Sequence, residues 1–442
     1  EAASTEAAST EAASTEAAAP VKGGVLREGY DRDVSRIDPV GTSWWDATLF
    51  PATHETLVTA DADGNFIPLL AEKWETSSDG LTWTFTLRSD LTFHSGAACD
   101  AAAVVAALDE IRTSGVNAGF WGPVTKLAAP DATTVVMTLK NPYADLPFVL
   151  NSGYSAIYNK AKRDELKDGY GVKGVDGTGP FTLGEYVAGS HVKLDRWDGY
   201  PGAGSADFFA NKGTTYLDGI RFEVLMEPAT RAQELEAGNL DALHGPAPQD
   251  VDRLKSNGDI AVLEFQEWGV YQLGVNFKKT DLGFDDVRVR QALSFAIDRQ
   301  AIADKIFFGK AVPTYTLVPS AFPWYEQSVE QAVTYDPDKA KSLLEEAGFA
   351  GKISFKAIIE QDKVEQQVAQ AVQQFLSDVG VKMELQVLGA DYFEKASAGP
   401  EAFMIHNVWP YLFDASLLFA GSTYVPPQCC NWGFAKVAEL DA

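Results

Sequence analysis

Between Ile353 and Val387 the chain reads as a strand, a helix and a second strand in immediate succession, and that run limits the possible folds more than any other feature. Ile353, Phe355, Ala357 and Ile359 are apolar at every second position, the period of a half-buried strand. Val364, Val368, Ala371, Val372, Phe375 and Val379 then recur at helical spacing, and Gly380 follows the last of them, where a helix commonly ends. Val381, Met383, Leu385 and Val387 alternate again. Two strands joined through a helix lie parallel in one sheet, because the crossover carries the chain back to the same end. Just upstream, Asp336-Pro337 opens another helix with Ala340, Leu343, Leu344 and Ala347 on one face, and Gly348 closes it. The predicted class is α/β.

The earlier half shows the same interspersion. Leu81-Thr82-Trp83-Thr84-Phe85-Thr86-Leu87 alternates after the turn signal Ser78-Asp79-Gly80 and reads as a strand. Asp100 caps an Ala/Val-rich helix running to about Ile111. Residues 1–20 are different: EAAST three times, then EAAAP. Each Ser-Thr interrupts the helix that Ala and Glu favour, and no Lys or Arg supplies an i,i+4 partner. This segment reads as a tether or a tag, and order is expected from Val21 onward.

Charge narrows the range of partners. Lys and Arg total 36 against 62 Asp and Glu, a formal net charge of -26, and a surface that acidic repels nucleic acid and anionic lipid. Neutral or cationic solutes and other proteins remain. No run of about 18 apolar residues is present to span a membrane, and without an initiator Met or signal sequence the chain reads as a mature or trimmed form. Cys99, Cys429 and Cys430 are too few for a disulfide-built scaffold and match no zinc spacing.

Signatures of catalysis are weak. There is no glycine-rich phosphate loop, no HExxH, no CxxC and no G-x-S-x-G. His54, His94, His191, His244 and His406 include no i,i+4 pair and read as structural. Asp61, Asp63, Asn65 and Glu72 imitate a calcium loop, but Phe66 stands where its sharp turn needs glycine. Ala62-Asp63-Gly64-Asn65 reads instead as a tight turn between strands. No catalytic residue, metal or cofactor is expected.

Five blocks in fixed order carry a family likeness. They are Leu70–Glu75 with Asp79–Phe85, Leu87-Arg88 and Phe93–Gly96; Gly177-Thr178-Gly179-Pro180-Phe181 with Arg196 and Tyr200; Asp286–Arg299; Val318-Pro319; and Tyr335-Asp336-Pro337 with Lys339–Phe349. Each has a plain physical reading. Asp285 or Asp286 caps a helix burying Val289, Leu293 and Ala296; Asp298 caps the next, which buries Ile302 and Ile306 and stops at Gly309. Gly177 to Pro180 reads as a turn where glycine supplies conformations other residues avoid. In this order the blocks resemble the peptide/nickel-type extracellular solute-binding proteins of bacterial ABC importers, over roughly residues 21 to 442.

The resemblance implies a two-lobed, large type II-like periplasmic-binding-protein fold with an extra subdomain in the first lobe, and binding without catalysis. Mapped here, the first lobe takes 21–50 and 170–266, the extra subdomain 51–169, and the second lobe 270–442. The C-terminal segment by which relatives return to the first lobe is expected to be absent before Ala442. The implied partners are a small ligand held between the lobes and an ABC permease. The implied setting is extracytoplasmic, periplasmic or lipid-anchored at the cell surface, as a monomer. Aromatic residues fall at the three places such a cleft draws on: Trp44 and Trp45 in the early loop, Trp268 and Tyr271 at the hinge, and Trp409 and Tyr411 in the late loop, with Trp432 as a further candidate. Loop tryptophans also pack as core. Peptide-binding relatives hold the ligand's amino group with a late-loop Asp; here Tyr411 stands near that place and Asp414 three residues on. Peptide and oligosaccharide both stay open, peptide ahead.

Overall fold

The computed structural model describes residues 21–41, 49–61, 64–115, 118–204, 215–264, 269–316, 320, 325–330, 333–389, 391–408 and 433–434. From the N-terminus it runs through β1 (Val25–Tyr30), then a hairpin of β2 (Val58–Ala60) and β3 (Phe66–Pro68). Asp61 and Asn65 close the hairpin: the Asp61 amide donates to the Asn65 carbonyl and the Gly64 amide to the Asp61 carbonyl. Next come β4 (Ala71–Thr76), β5 (Thr82–Leu87), β6 (Val124–Ala128) and β7 (Thr134–Leu139), an antiparallel sheet in the order β4-β5-β7-β6. The helix Ala101–Ser114 packs on it, with the Asp100 carboxylate accepting from the Ala103 amide as cap.

The chain then returns to β1. β8 (Phe181–Val187), β9 (His191–Arg196), β10 (Gly219–Val224) and β11 (Ala242–Leu243) complete a five-stranded sheet ordered β11-β1-β10-β9-β8. Within it β1 runs parallel to both β10 and β11. One continuous core joins the two sheets, from Tyr30 and Ile37 through Phe85, Val104 and Met137 to Leu194 and Phe222. Buried Asp38 fastens them further: Arg163 donates to both its oxygens, at 2.9 and 3.0 Å, and to Glu110 at 2.7 Å.

Residues 269 onward build a second core of their own. β12 (Gly269–Val275), β13 (Ser354–Glu360), β14 (Lys382–Leu388) and β15 (Ala402–Val408) form a sheet ordered β12-β15-β13-β14. β13 and β14 are parallel, as the crossover requires, and β15 is parallel to β13. The connecting helix Lys363–Asp378 buries Glu365, Val368, Ala369, Val372 and Leu376. The stripe therefore includes a carboxylate that the apolar periodicity did not register. Asp286, Asp298 and Asp336 each cap their helix by accepting a backbone N–H, which settles the choice between Asp285 and Asp286. The glycines at 177 and 179 serve a different purpose from the one expected. Neither adopts a positive φ; a Cβ on Gly177 would lie 2.2 Å from the Thr53 carbonyl oxygen, and one on Gly179 2.7 Å from the Thr53 carbonyl carbon. Close approach of two backbones excludes side chains there.

Candidate functional site

The parallel strands of the first and last sheets run out toward a common seam. β1 ends at Tyr30 and continues into Asp31 and Arg32; β11 leads to His244 and Gly245; β13 leads to Gln361 and Asp362. The crevice outside the carboxyl ends of parallel strands is where open α/β sheets receive ligands. Charges join the two sides. Glu227 Oε2 lies 2.5 Å from Lys363 Nζ, and Lys310 Nζ lies 2.8 Å from Asp252 and 3.5 Å from Glu264. Arg32 favours the charged form of Glu360 across the same gap. Glu227 is the N-cap of the helix Pro228–Glu236 and Lys363 the first residue of its own helix, so two positive helix ends meet here.

On the first side Asp31 is gripped by Arg32, with Nε–Oδ1 at 2.6 Å and Nη2–Oδ2 at 2.9 Å, and flanked by His244 Nδ1 at 3.6 Å. Burial acts to raise the Asp31 pKa, but hydrogen bonds from Arg32 and His244 outweigh it and hold the carboxyl well below the usual range. The same contact with Asp31 raises His244. Beneath them Arg231 is 2% exposed. It donates through Nη1 to the Leu225 carbonyl at 2.5 Å and through Nη2 to the Gly245 carbonyl at 2.7 Å. These carbonyls follow β10 and β11, on either side of β1.

The second side is built around Glu365, 1% exposed. Its Oε1 accepts from the Glu360 amide at 2.8 Å and its Oε2 from the His406 amide at 3.3 Å. Burial pushes Glu365 up to about 8, and burial pushes neighbouring Glu360 up to about 7 against the pull of Arg32. His406 pairs with Tyr271 across β15 and β12. Their rings stack with centroids 4.0 Å apart and planes 2° from parallel, and Phe307 stands 5.3 Å from Tyr271.

Of the residues singled out from the sequence, Tyr271 is placed in this seam. Trp44, Trp45, Trp268, Trp409, Tyr411, Asp414 and Trp432 lie outside the described residues, as do Cys429 and Cys430. His406, which reads as a structural histidine, is half of a stacked pair. Glu360, Glu365 and Arg231 drew no attention, although Asp362-x-x-Glu365 is a capping pattern whose fourth member falls on the buried stripe. His54 fits its structural reading: it lies between Thr53 Oγ1 at 2.8 Å and the Tyr170 hydroxyl at 3.0 Å, and burial lowers it to about 3. Among the described residues no group of three or more metal-ligating side chains converges, and no helix is long and apolar enough to cross a membrane.

The chain is similar to known proteins over most of its length. The family model for bacterial extracellular solute-binding proteins, family 5 (middle region), matches residues 65–424. The dipeptide-binding protein of Escherichia coli K12 is 30% identical over 332 residues, 70% of this chain and 59% of its own length. This chain thus spans well under two thirds of that relative. The glutathione-binding protein GsiB of Salmonella typhimurium LT2 is 30% identical over 403 residues, 88% of this chain and 76% of its own. Among solved structures, the periplasmic binding protein DppA of Helicobacter pylori in complex with the peptide STSA superposes with a TM-score of 0.82. The match is 22% identical and covers 95% of this chain and 85% of that one.

Proposed function

The chain belongs to the bacterial extracellular solute-binding proteins of family 5, and from that membership we propose that it is the solute-binding component of an ABC importer, which captures a peptide or peptide-like solute and passes it to a membrane permease without chemical change. The observation that carries this reading is the seam itself. Carboxyl ends of parallel strands from two separately cored sheets face each other, bridged by ion pairs and bordered by the Tyr271–His406 rings. Two bodies joined in this way can close on a guest and gain contacts available only when shut.

On this reading residues 21–50 and 170–266 form the first lobe, 51–169 its added subdomain, and 270 onward the second lobe. Trp44, Trp45, Trp268, Trp409, Tyr411 and Asp414 join Tyr271 around the ligand. The protein works outside the cytoplasm as a monomer, in a periplasm or tethered to the cell surface through the EAAST segment. A peptide-like guest is supported by the names of the relatives, one binding dipeptides and another glutathione. Stacked rings also suit a sugar face, so oligosaccharides belong in the same screen.

The test combines calorimetric titration with di- and tripeptides, glutathione and oligosaccharides, and small-angle scattering with and without each. A saturable peptide titration with a smaller radius of gyration on binding is expected. Unchanged dimensions with every solute, or release of a cleaved product, would overturn the reading.

A further inference from the structure

The binding function proposed above leaves Glu365 unexplained, since a carboxyl 1% exposed can touch no ligand. Its geometry is nevertheless specific. It reaches from the first turn of the helix Lys363–Asp378 to the backbone of two strands, one oxygen on the Glu360 amide of β13 and the other on the His406 amide of β15. These residues stand where β13 and β15 approach the seam, and the His406 ring lies flat on Tyr271 at 4.0 Å. Resting on the binding reading, we propose that Glu365 is a positioning residue of the ligand seat: its carboxyl ties β13 to β15 and so fixes where the His406 ring, and Tyr271 stacked on it, face the cleft.

The chemistry of the tie makes it adjustable. An ionised carboxylate presents acceptor lone pairs at both oxygens and satisfies both amides, whereas the neutral acid turns one oxygen into a hydroxyl and accepts well only at the other. The contact to His406, at 3.3 Å, is the longer of the two and is the end that yields on protonation. Among the described residues, Glu360 on β13, Asp362 ahead of its own helix and Tyr392 on the helix Tyr392–Ser397 act on Glu365 through charge, and Glu360 and His406 through their backbone amides. The Tyr392 hydroxyl is committed to the Met404 carbonyl at 2.5 Å. Arg32 acts on the cluster through Glu360. Burial first, and then the charges of Glu360 and Asp362, oppose ionisation of Glu365 and push it up to about 8, so the tie changes state within the range where proteins work.

The amide resonances of Glu360 and His406 report the tie directly. In the full chain both are expected to share a downfield step near pH 8, beside the step near pH 7 that the Glu360 carboxyl itself imposes; the step near 8 should vanish in Glu365→Gln, which keeps the volume and hence the fold, while the Glu360 step stays. Calorimetry with trialanine on the same samples should give Glu365→Gln affinities equal to wild type at pH 6 and roughly three- to tenfold weaker at pH 9; taking the ratio at each pH cancels titration of the peptide itself. No shared step near pH 8 in the wild type, or such a step that survives in Glu365→Gln, overturns the proposal. Tyr271→Ala separates it from the wider reading. If that variant binds trialanine as tightly as wild type, the rings are not the seat and the positioning role falls. If trialanine binds no variant at any pH, the peptide reading fails while the amide resonances still decide what Glu365 does.

Discussion

The two sides of the seam solve one structural problem with opposite charges. Each has parallel strands whose last residues must be held in register at the mouth of a cleft, and each uses a buried side chain from the first turn of a helix. Arg231 ties the strand ends of the first sheet through the Leu225 and Gly245 carbonyls; Glu365 ties β13 and β15 through the Glu360 and His406 amides. The difference lies in what each charge can do. A guanidinium stays protonated throughout the working range, so the first tie is permanent. A carboxyl loses its charge when burial opposes ionisation, so the second responds to pH. The helix dipole points the same way: a carboxylate is favoured near the N-terminus and a cation disfavoured there, so Arg231 relies on the two carbonyls and on the charges of Asp31, Asp362 and Glu227.

The largest expected effect comes from removing the permanent tie. Arg231→Ala strands two carbonyls and should cost about 2–4 kcal/mol, read as a shift of the urea midpoint. Arg231→Lys should fall between that variant and wild type, because one ammonium cannot fork to both carbonyls as a guanidinium does. The site has no slack to absorb the loss. A Cβ on Gly29 of β1 would sit 2.6 Å from Leu240 Cδ1 and 3.5 Å from the Arg231 side chain, so the strand already lies against that stem. An Arg231→Ala midpoint equal to that of wild type would break the comparison at its root.

The responsive tie predicts a pH dependence of opposite character. Glu365 at about 8 and Glu360 at about 7 stand above their ordinary value of 4.5, both through burial. Between pH 4.5 and 8 the folded chain therefore holds protons that the unfolded chain has released. The stability this confers is complete below pH 4.5 and is lost as pH rises through 7 and 8. Glu55, in the first core, is also pushed up to about 7 by burial and adds to the same trend. Wild type should lose on the order of several kcal/mol between pH 5 and pH 9, with a shallower loss in Glu365→Gln and an unchanged slope in Arg231→Lys. Ionisation thus tightens two hydrogen bonds while burying a charge, so local order at His406 rises as global stability falls. Urea midpoints that hold steady from pH 5 to pH 9 would mean that neither carboxyl is buried neutral.

The asymmetry also explains how far the sequence could be read. The run from Ile353 to Val387 yielded a strand, a helix and a strand within a residue of Ser354–Glu360, Lys363–Asp378 and Lys382–Leu388, because periodicity is a local signal. The aspartate caps at 100, 298 and 336 were legible for the same reason. Arg231 reaches Gly245 and Glu365 reaches His406, and no local pattern links residues that far apart. Glu365 is further hidden by where the apolar spacing falls on its helix. The periodicity picked out Val364, Ala371 and Phe375, which are half-buried, while the fully buried stripe runs Glu365, Val368, Ala369, Val372, Leu376. Tyr271 is legible through its aromatic character and its place near the expected hinge; its partner His406 lies on another strand, and no local pattern marks it among the five histidines.

The smallest effect concerns one of the contacts that join the two sides directly. Glu227 and Lys363 are both well exposed, with side chains 57% and 65% accessible, and a solvated pair of this kind contributes about 0.2–1 kcal/mol at most. Lys363→Ala should therefore barely move the urea midpoint. Its position gives it another role. It links the N-terminus of the helix that carries Arg231 to that of the helix that carries Glu365, and so acts on the separation of the two ties rather than on either one. Removing it should favour a wider seam, seen as a larger radius of gyration in ligand-free scattering, and salt should mimic the change in wild type because exposed pairs are screened. The charge-reversed pair Glu227→Lys with Lys363→Glu should restore the wild-type dimensions. A double variant that stays as wide as Lys363→Ala would show that the two sides are held at their distance by something other than this ion pair.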